Sequence, residues 1–309
     1  MTFSQLRALL SVVDTGSVHG AAEQLVISQP AVSGAVAALQ RELGVELLER
    51  HGRGVRVTSA GRAFADEARA GLQHLDRAVR VARSVEDPAR GSVQIAAIAT
   101  AAEHLVLPLL AAFRREHGDA EVTVSVGNRT TVWAALADLA ADLVVAGRPP
   151  SSLDATVLGT AENTLVFVGL PAWCIRSRME TITHLAGTTW LLREDGSGTR
   201  DATDELLAKL DLDPPRMILG SNGAVREAIL ADFGVGVLPL TVAQPRLDSG
   251  ELAILDCPGT PINRPWHLVS GPQAALSPTA ALAARSLLRA PHGFTPSPAG
   301  RRLVRSADR

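Results

Sequence analysis

The chain has 309 residues, 46% of them hydrophobic and 20% charged, with a net charge of −2. That composition describes an ordinary globular protein of two or three domains of about 100–200 residues each. It excludes a globally basic nucleic-acid coat, so any nucleic-acid contact must be local. Cys174 and Cys257 form neither a CxxC pair nor a Cys/His cluster with ligand spacing, so no disulfide framework, metal or cofactor is expected. No apolar run reaches the ~20 residues that span a bilayer, and the N-terminus has no basic segment followed by an apolar one. A cytoplasmic protein without a membrane partner is the expectation.

Residues 1–58 read as helix, helix, turn, helix, hairpin. Phe3, Leu6, Leu10 and Val13 recur at helical spacing until Gly16. Ser17 is placed to cap a second helix whose Ala21, Ala22 and Leu25 face inward, and Ser28 to cap a third with Pro30 in its first turn. In that third helix Val32, Val36, Leu39 and Leu43 form one stripe, and Gly44 ends it. Its other face is Ser, Gly, Ala and one Arg. The runs "LLER" and "VRVT" flank "HGRG" and predict a hairpin. Together these elements predict a winged helix-turn-helix.

Residues 59–90 form the linker. "SAGRAFADEARAGLQHLDRAVRVARSVED" carries Phe64, Ala68, Leu72, Leu75, Val79 and Ala82 at spacings of three or four, flanked mostly by charge. A stripe this narrow suits a partner helix, the alternative being a helix lying on its own domain. "DPARG" then breaks the chain as a hinge. Residues 91–290 alternate strand and helix patterns, from "SVQIAAIAT" and "EHLVLPLLAAFRREHG" to "GVGVLPL". This rhythm predicts parallel sheets flanked by helices, in two α/β lobes: one of residues 91–161 and 268–290, the other of residues 162–267. Residues 291–309, rich in Pro, Gly and Arg, read as a flexible tail.

The run Gly16–Gly61, with "AAEQLVISQPAVS" followed by "LLERHGRGVRVTSAG", resembles the DNA-binding segment of LysR-type transcriptional regulators. The resemblance extends over nearly the whole chain. It implies a winged helix-turn-helix, a linker helix and a two-lobed, Rossmann-like effector domain similar to periplasmic binding proteins. "LLREDGSGTR", "SNGAVREAI" and "PWHLV" are similar to the branch that controls carbon-fixation operons. The implied partners are double-stranded promoter DNA, a small effector, further copies of the chain (a dimer, then a tetramer) and RNA polymerase. Two departures stand out. Gly20 replaces the usual arginine before the paired alanines, and Gly34 and Ala35 follow Ser33 where a larger polar or basic residue is usual.

The third helix is the candidate for the major groove. Pro30, Ser33, Gly34 and Ala37 are small enough for close approach, Gln29 and Ser33 can hydrogen-bond base edges, and Arg41 can reach a phosphate. Arg53 and Arg56 of the hairpin suit phosphates or the minor groove. Against this, the five arginines of residues 1–58 are matched by five acids, which predicts modest affinity per module and a shallow salt slope. By spacing alone, a small-faced helix could equally pack against another helix.

For the effector, "DGSGTR" offers Gly196, Ser197 and Gly198 at a helix start, with Thr199 and Arg200 beside them, a pattern that favours an anion. The same residues could serve only as a cap. Strand order places Thr100, Arg148, Ser221 and Asn222 at the same crevice. Two arginines near a helix N-terminus point to a small anionic metabolite. An enzyme finds little support, since GxSxG, HExxH and the P-loop are all absent. A transport solute-binding protein would need export and would not carry the N-terminal module. A non-DNA-binding sensor that uses its N-terminal helices only to oligomerise is the competing reading.

Overall fold

The computed structural model describes residues 1–52, 54–175, 185–272 and 276–306. They fall into two compact units, Met1–Val79 and Arg80–Arg309.

The first unit holds α1 (Phe3–Thr15), α2 (Val18–Leu25), α3 (Gln29–Leu43), β1 (Leu48–His51), β2 (Gly54–Val57) and most of α4 (Ser59–Glu86). Local chemistry sets the boundaries. Thr2 and Gln5 form a reciprocal capping box on α1, Ser17 and Ser28 cap α2 and α3, and Gly16 and Gly44 end α1 and α3 in the left-handed region. A Cβ at Gly20 would meet Thr15 Cβ at 2.9 Å, so a larger residue there would require the α1–α2 turn to shift. Leu9, Val12, Ala21, Val32, Val36, Leu39 and Leu47 make the core. Gln40 Oε1 accepts from the amides of Leu47 and Leu48 at 2.8 Å each and fixes the start of the antiparallel wing.

The stripe on α4 divides. Phe64, Ala68 and Leu72 are partly buried against this unit's own core, whereas Leu75, Val79 and Ala82 are exposed. Phe64, Ala68 and Leu72 thus share their surface between this core and solvent. The wing returns the chain so closely that a Cβ on Gly61 would lie 2.0 Å from Leu47 O, and this lays the first half of α4 on its own domain.

The second unit contains two six-stranded sheets. Lobe I runs β14 (Thr295–Pro296), β6 (Thr156–Ala161), β13 (Trp266–Ser270), β5 (Leu143–Ala146), β3 (Ser92–Ile98), β4 (Glu121–Gly127). Lobe II runs β11 (Ala253–Ile254), β7 (Thr164–Gly169), β10 (Val235–Pro239), β8 (Trp190–Arg193), β9 (Arg216–Leu219), with β12 (Ile262–Asn263) also on β7. Only β4–β3–β5 and β10–β8–β9 are parallel. The flanking strands are antiparallel, because the chain crosses between lobes twice and returns reversed. The return places Trp266 and His267 in lobe I, two residues before the expected boundary. The two crossings are tied together: Arg264 N–H donates to Asn163 O and Asn163 Nδ2 donates to Arg264 O, each at 2.9 Å.

Lobe I carries a helix in three parts, α5 (Ala99–Ala101), a π-turn (Ala102–Val106) and α6 (Leu107–Glu116), then α7 (Arg129–Ala137) and α11 (Pro278–Arg289). Lobe II carries α8 (Gly198–Lys209), α9 (Asn222–Leu230) and α10 (Leu240–Asp248). The "DPARG" break is a packed turn rather than a loose hinge. Thr279 Oγ1 donates to Pro88 O at 2.9 Å, and a Cβ on Gly91 would lie 2.1 Å from that hydroxyl.

The tail expected to be flexible is ordered through Ser306. β14 pairs with β6 and α12 (Pro298–Arg305) follows. Phe294, Ala299 and Leu303 enter the lobe I core, and Gly300 lets α12 approach so closely that a Cβ would stand 2.0 Å from Leu158 O. A short Pro- and Arg-rich segment hid three core contacts. No described helix is long and apolar enough to cross a membrane.

Candidate functional site

In the first unit, α3 buries Val32, Val36 and Leu39 and exposes Gln29, Pro30, Ser33, Gly34, Ala37 and Arg41. All six groove candidates therefore share the solvent face. A Cβ on Gly34 would meet nothing within 4 Å, so packing inside the protein does not require this glycine. Gln29 Nε2 lies 3.0 Å from His19 Nδ1, which holds its amide beside α2. Arg56 is committed locally, its Nε donating to Glu49 Oε1 at 2.6 Å across the hairpin register. Arg53 lies outside the described residues.

In the second unit, a crevice of about 400 Å³ opens between the lobes. It gathers the residues that follow parallel strands, as open α/β sheets do at their carboxyl ends. Thr100 follows β3, Asn128 and Arg129 follow β4, and Gly147 and Arg148 follow β5. From lobe II come Arg193 and Glu194 at the end of β8, Ser197, Gly198 and Thr199 at the start of α8, and Asn222 at the start of α9. Asn163, Arg264 and Trp266 line it from the crossings.

Six of the expected effector residues, Thr100, Arg148, Ser197, Gly198, Thr199 and Asn222, are thus brought together. Three are not among the lining residues. Arg200 turns away: its Nε donates to Asp204 at 2.7 Å and its Nη1 to Arg193 O at 3.1 Å. Ser221 accepts from Ala224 N–H at 3.0 Å as the cap of α9. Gly196 adopts φ +81° and its carbonyl accepts from Arg129 N–H at 3.2 Å, joining the lobes across the crevice mouth. Side-chain direction on α8 decides the fate of Arg200: one residue beyond Thr199, it faces lobe II rather than the crevice.

Sequence reasoning missed Asn128, Arg129, Asn163, Arg193, Glu194, Arg264 and Trp266. Arg129 and Arg193 sit at strand ends, so the rule that selected Arg148 could have found them. Three of the four crevice arginines have acidic partners. Arg193 grips Glu194 at 2.7 Å through both Nε and Nη2, Arg129 lies 3.4 Å from Asp201, and Arg264 lies 3.7 Å from Glu205. The hydrogen bond from Arg193 holds the Glu194 carboxyl below its usual range. Arg148 has no ion-pair partner among the described residues. Nearby, burial pulls the His267 pKa down and the Arg148 charge adds to the shift. Cys257 is a buried free thiol outside the crevice, its pKa raised to about 11 by burial and then by Asp256.

Residues 3–62 match the bacterial regulatory helix-turn-helix protein family of LysR type, and residues 86–291 match the LysR substrate binding domain. The chain belongs to the LysR family of transcriptional regulators. It is a DNA-binding regulator with an N-terminal winged helix-turn-helix and a two-lobed effector-binding domain. It is 34% identical to the HTH-type transcriptional regulator CfxR of Cupriavidus necator over 90% of this chain and 88% of that protein. It is 33% identical to the RuBisCO operon transcriptional regulator of Allochromatium vinosum over 91% of this chain and 93% of that one. These relatives agree with the carbon-fixation branch suggested by "LLREDGSGTR", "SNGAVREAI" and "PWHLV". The fold is similar to that of CbnR, a LysR family transcriptional regulator, with a TM-score of 0.66 at 22% identity, covering 93% of this chain and 99% of that one. It is also similar to the Synechocystis CcmR regulatory domain in complex with 2-PG, with a TM-score of 0.53 at 27% identity, covering 59% of this chain and 88% of that domain.

Proposed function

We propose that promoter binding by this LysR regulator is set by a small anionic metabolite held in the interlobe crevice. The observation that carries the reading is Arg148, a cation lining the crevice without an acidic partner among the described residues, in the same cavity as the start of α8. Ser197 stands at the N-cap of α8, yet its side chain makes no cap hydrogen bond. Its hydroxyl, the free N–H groups of the first turn and the helix dipole are therefore available to an anion. The 2-PG complex of the CcmR regulatory domain supports a small ligand in a domain of this kind.

In this reading Gln29 and Ser33 contact base edges while Pro30, Gly34 and Ala37 let α3 sit deep in the groove. Arg41, Arg53 and Arg56 serve phosphates or the minor groove. Leu75, Val79 and Ala82, with the outer edges of Phe64, Ala68 and Leu72, pair two copies. A tetramer built from such dimers raises affinity through effective concentration. The target is a carbon-fixation operon, RNA polymerase is the downstream partner, the chain has no enzymatic role and it works in the cytoplasm.

The test is a footprint on the chain's own upstream region and on carbon-fixation promoters, at two salt concentrations, with and without 2-PG and a panel of phosphorylated and carboxylated metabolites. Protection that changes length or bend with one anion is the expected result. Protection indifferent to every anion would return Ser197 to a purely structural position. No protection anywhere would favour the sensor that only oligomerises.

A further inference from the structure

Four polar atoms on residues that line the crevice are closed off from solvent and have no hydrogen-bond partner among the described residues. Two are donors, Trp266 Nε1 and Arg264 Nη1, the latter 3.7 Å from Glu205 Oε1, within ion-pair but not hydrogen-bond range. Two are acceptors, the side-chain oxygens of Asn163 and Asn222. Trp266 is 3% exposed, Asn222 6% and Asn163 9%, so these are built interior positions rather than surface accidents. The amide orientation of Asn163 is fixed, because its Nδ2 donates to Arg264 O at 2.9 Å and leaves Oδ1 as the orphan. Each unanswered buried group costs about 1–3 kcal/mol. Native proteins rarely keep several together without a use for them.

A simple anion answers only half of this set. Its oxygens can accept from Arg264 and Trp266, but a carboxylate or fully ionised phosphate ester has no proton for Asn163 or Asn222. An ammonium could donate to both, but of the four lining arginines Arg129, Arg193 and Arg264 are matched by acids, whereas Arg148 has no such match among the described residues, which leaves a net positive charge at the cavity. That field repels a cation. A neutral hydroxyl donates without that penalty.

Resting on the effector reading above, we infer that the crevice selects a hydroxyl-bearing anion, its hydroxyl donating to Asn163 or Asn222 and its oxygens accepting from Arg264 and Trp266. Those hydrogen bonds would form beside the Asn163–Arg264 pair that ties the two crossings together.

The experiment is calorimetric titration of the full-length protein with three probes that differ in one group: phosphoglycerate, phosphoserine (an amine in place of the hydroxyl) and phosphopropionate (a hydrogen in its place). Inorganic phosphate is the fourth arm. Phosphoglycerate is expected to bind at least about tenfold tighter than phosphopropionate, the worth of one well-made hydrogen bond. Trp266→Phe removes a donor to the anion's oxygens and should weaken phosphoglycerate and phosphopropionate alike, leaving the gap in place. Asn222→Ala removes an acceptor for the hydroxyl and is the variant expected to narrow the gap, to about threefold or less. Equal binding of phosphoglycerate and phosphopropionate overturns the hydroxyl inference and leaves the anion reading intact. Tightest binding by phosphoserine overturns it as well. If none of the three probes nor inorganic phosphate binds, the effector reading falls with it.

Discussion

Two helices carry the functional reading, and they begin in opposite ways. α3 starts at Ser28, whose hydroxyl accepts from Ala31 N–H, so its first turn is closed by its own chain. What α3 offers is a lateral face, small and exposed from Gln29 to Arg41. α8 starts at Ser197, whose side chain makes no such bond, and its flank is occupied by Arg200, Asp204 and the packing of lobe II. What α8 offers is its end. A helix that meets a duplex along its length needs a stable first turn and a low profile. A helix that meets a small anion needs its terminal N–H groups left open. The same residue type at the same cap position is bonded to its own helix in one case and makes no cap bond in the other.

The sharpest way to break the comparison is to give α3 a profile. Gly34→Glu places bulk and negative charge on the lateral face, where no protein atom lies within 4 Å of a Cβ. Operator affinity should fall by about 100-fold or more at low salt. Stability should hold or rise by about 0.5–1 kcal/mol, since glycine is a poor interior helix residue. Gel-shift titration and urea unfolding read the two effects separately. Unchanged operator affinity would remove α3 from the groove. Next in size is Arg148→Ala in the crevice, which should weaken the effector by about 10- to 100-fold while leaving effector-free DNA binding in place. Calorimetry with the ligand identified by the footprint measures it, and a change under twofold would show that the uncommitted cation is not the anchor.

How much of this was legible beforehand depends on whether the deciding information was local. Caps and stops are local: Ser17, Ser28, Gly16 and Gly44 stand at the predicted ends of the first helices. Thr100 and Arg148 were reachable too, because parallel strands deliver their following residues to one edge. Arg200 was chosen for its charge and its nearness to "DGSG", but helical rotation turns it toward Asp204, and only the packed lobe shows that. Asn163 and Arg264 carried no sequence signal, and Trp266 entered only through the family-like run "PWHLV", since the crossings that bring residues about 100 apart into contact have no periodicity. The tail failed for a related reason. Ala299, Gly300 and Leu303 look unremarkable in a Pro- and Arg-rich run until Leu158 lies beneath them. Gly300→Ala tests that contact and should cost about 1–3 kcal/mol in urea unfolding through overpacking, whereas a loose tail would give no change.

The smallest effects sharpen the comparison most directly, because they come from one substitution made twice. Ser28→Ala removes a formed cap and should destabilise the protein by about 1 kcal/mol. DNA affinity should fall with it, since the first turn of α3 positions Gln29. Effector affinity should not change. Ser197→Ala removes a hydroxyl that caps nothing, so its cost in urea unfolding should stay within roughly a few tenths of a kcal/mol. Effector affinity should fall about fivefold, the worth of one modest hydrogen bond. The pair therefore predicts a crossed pattern, with stability and DNA binding moving for one serine and ligand binding for the other. If both serines lost stability equally, Ser197 would be an ordinary cap in solution, and the open end of α8 would no longer distinguish it from α3.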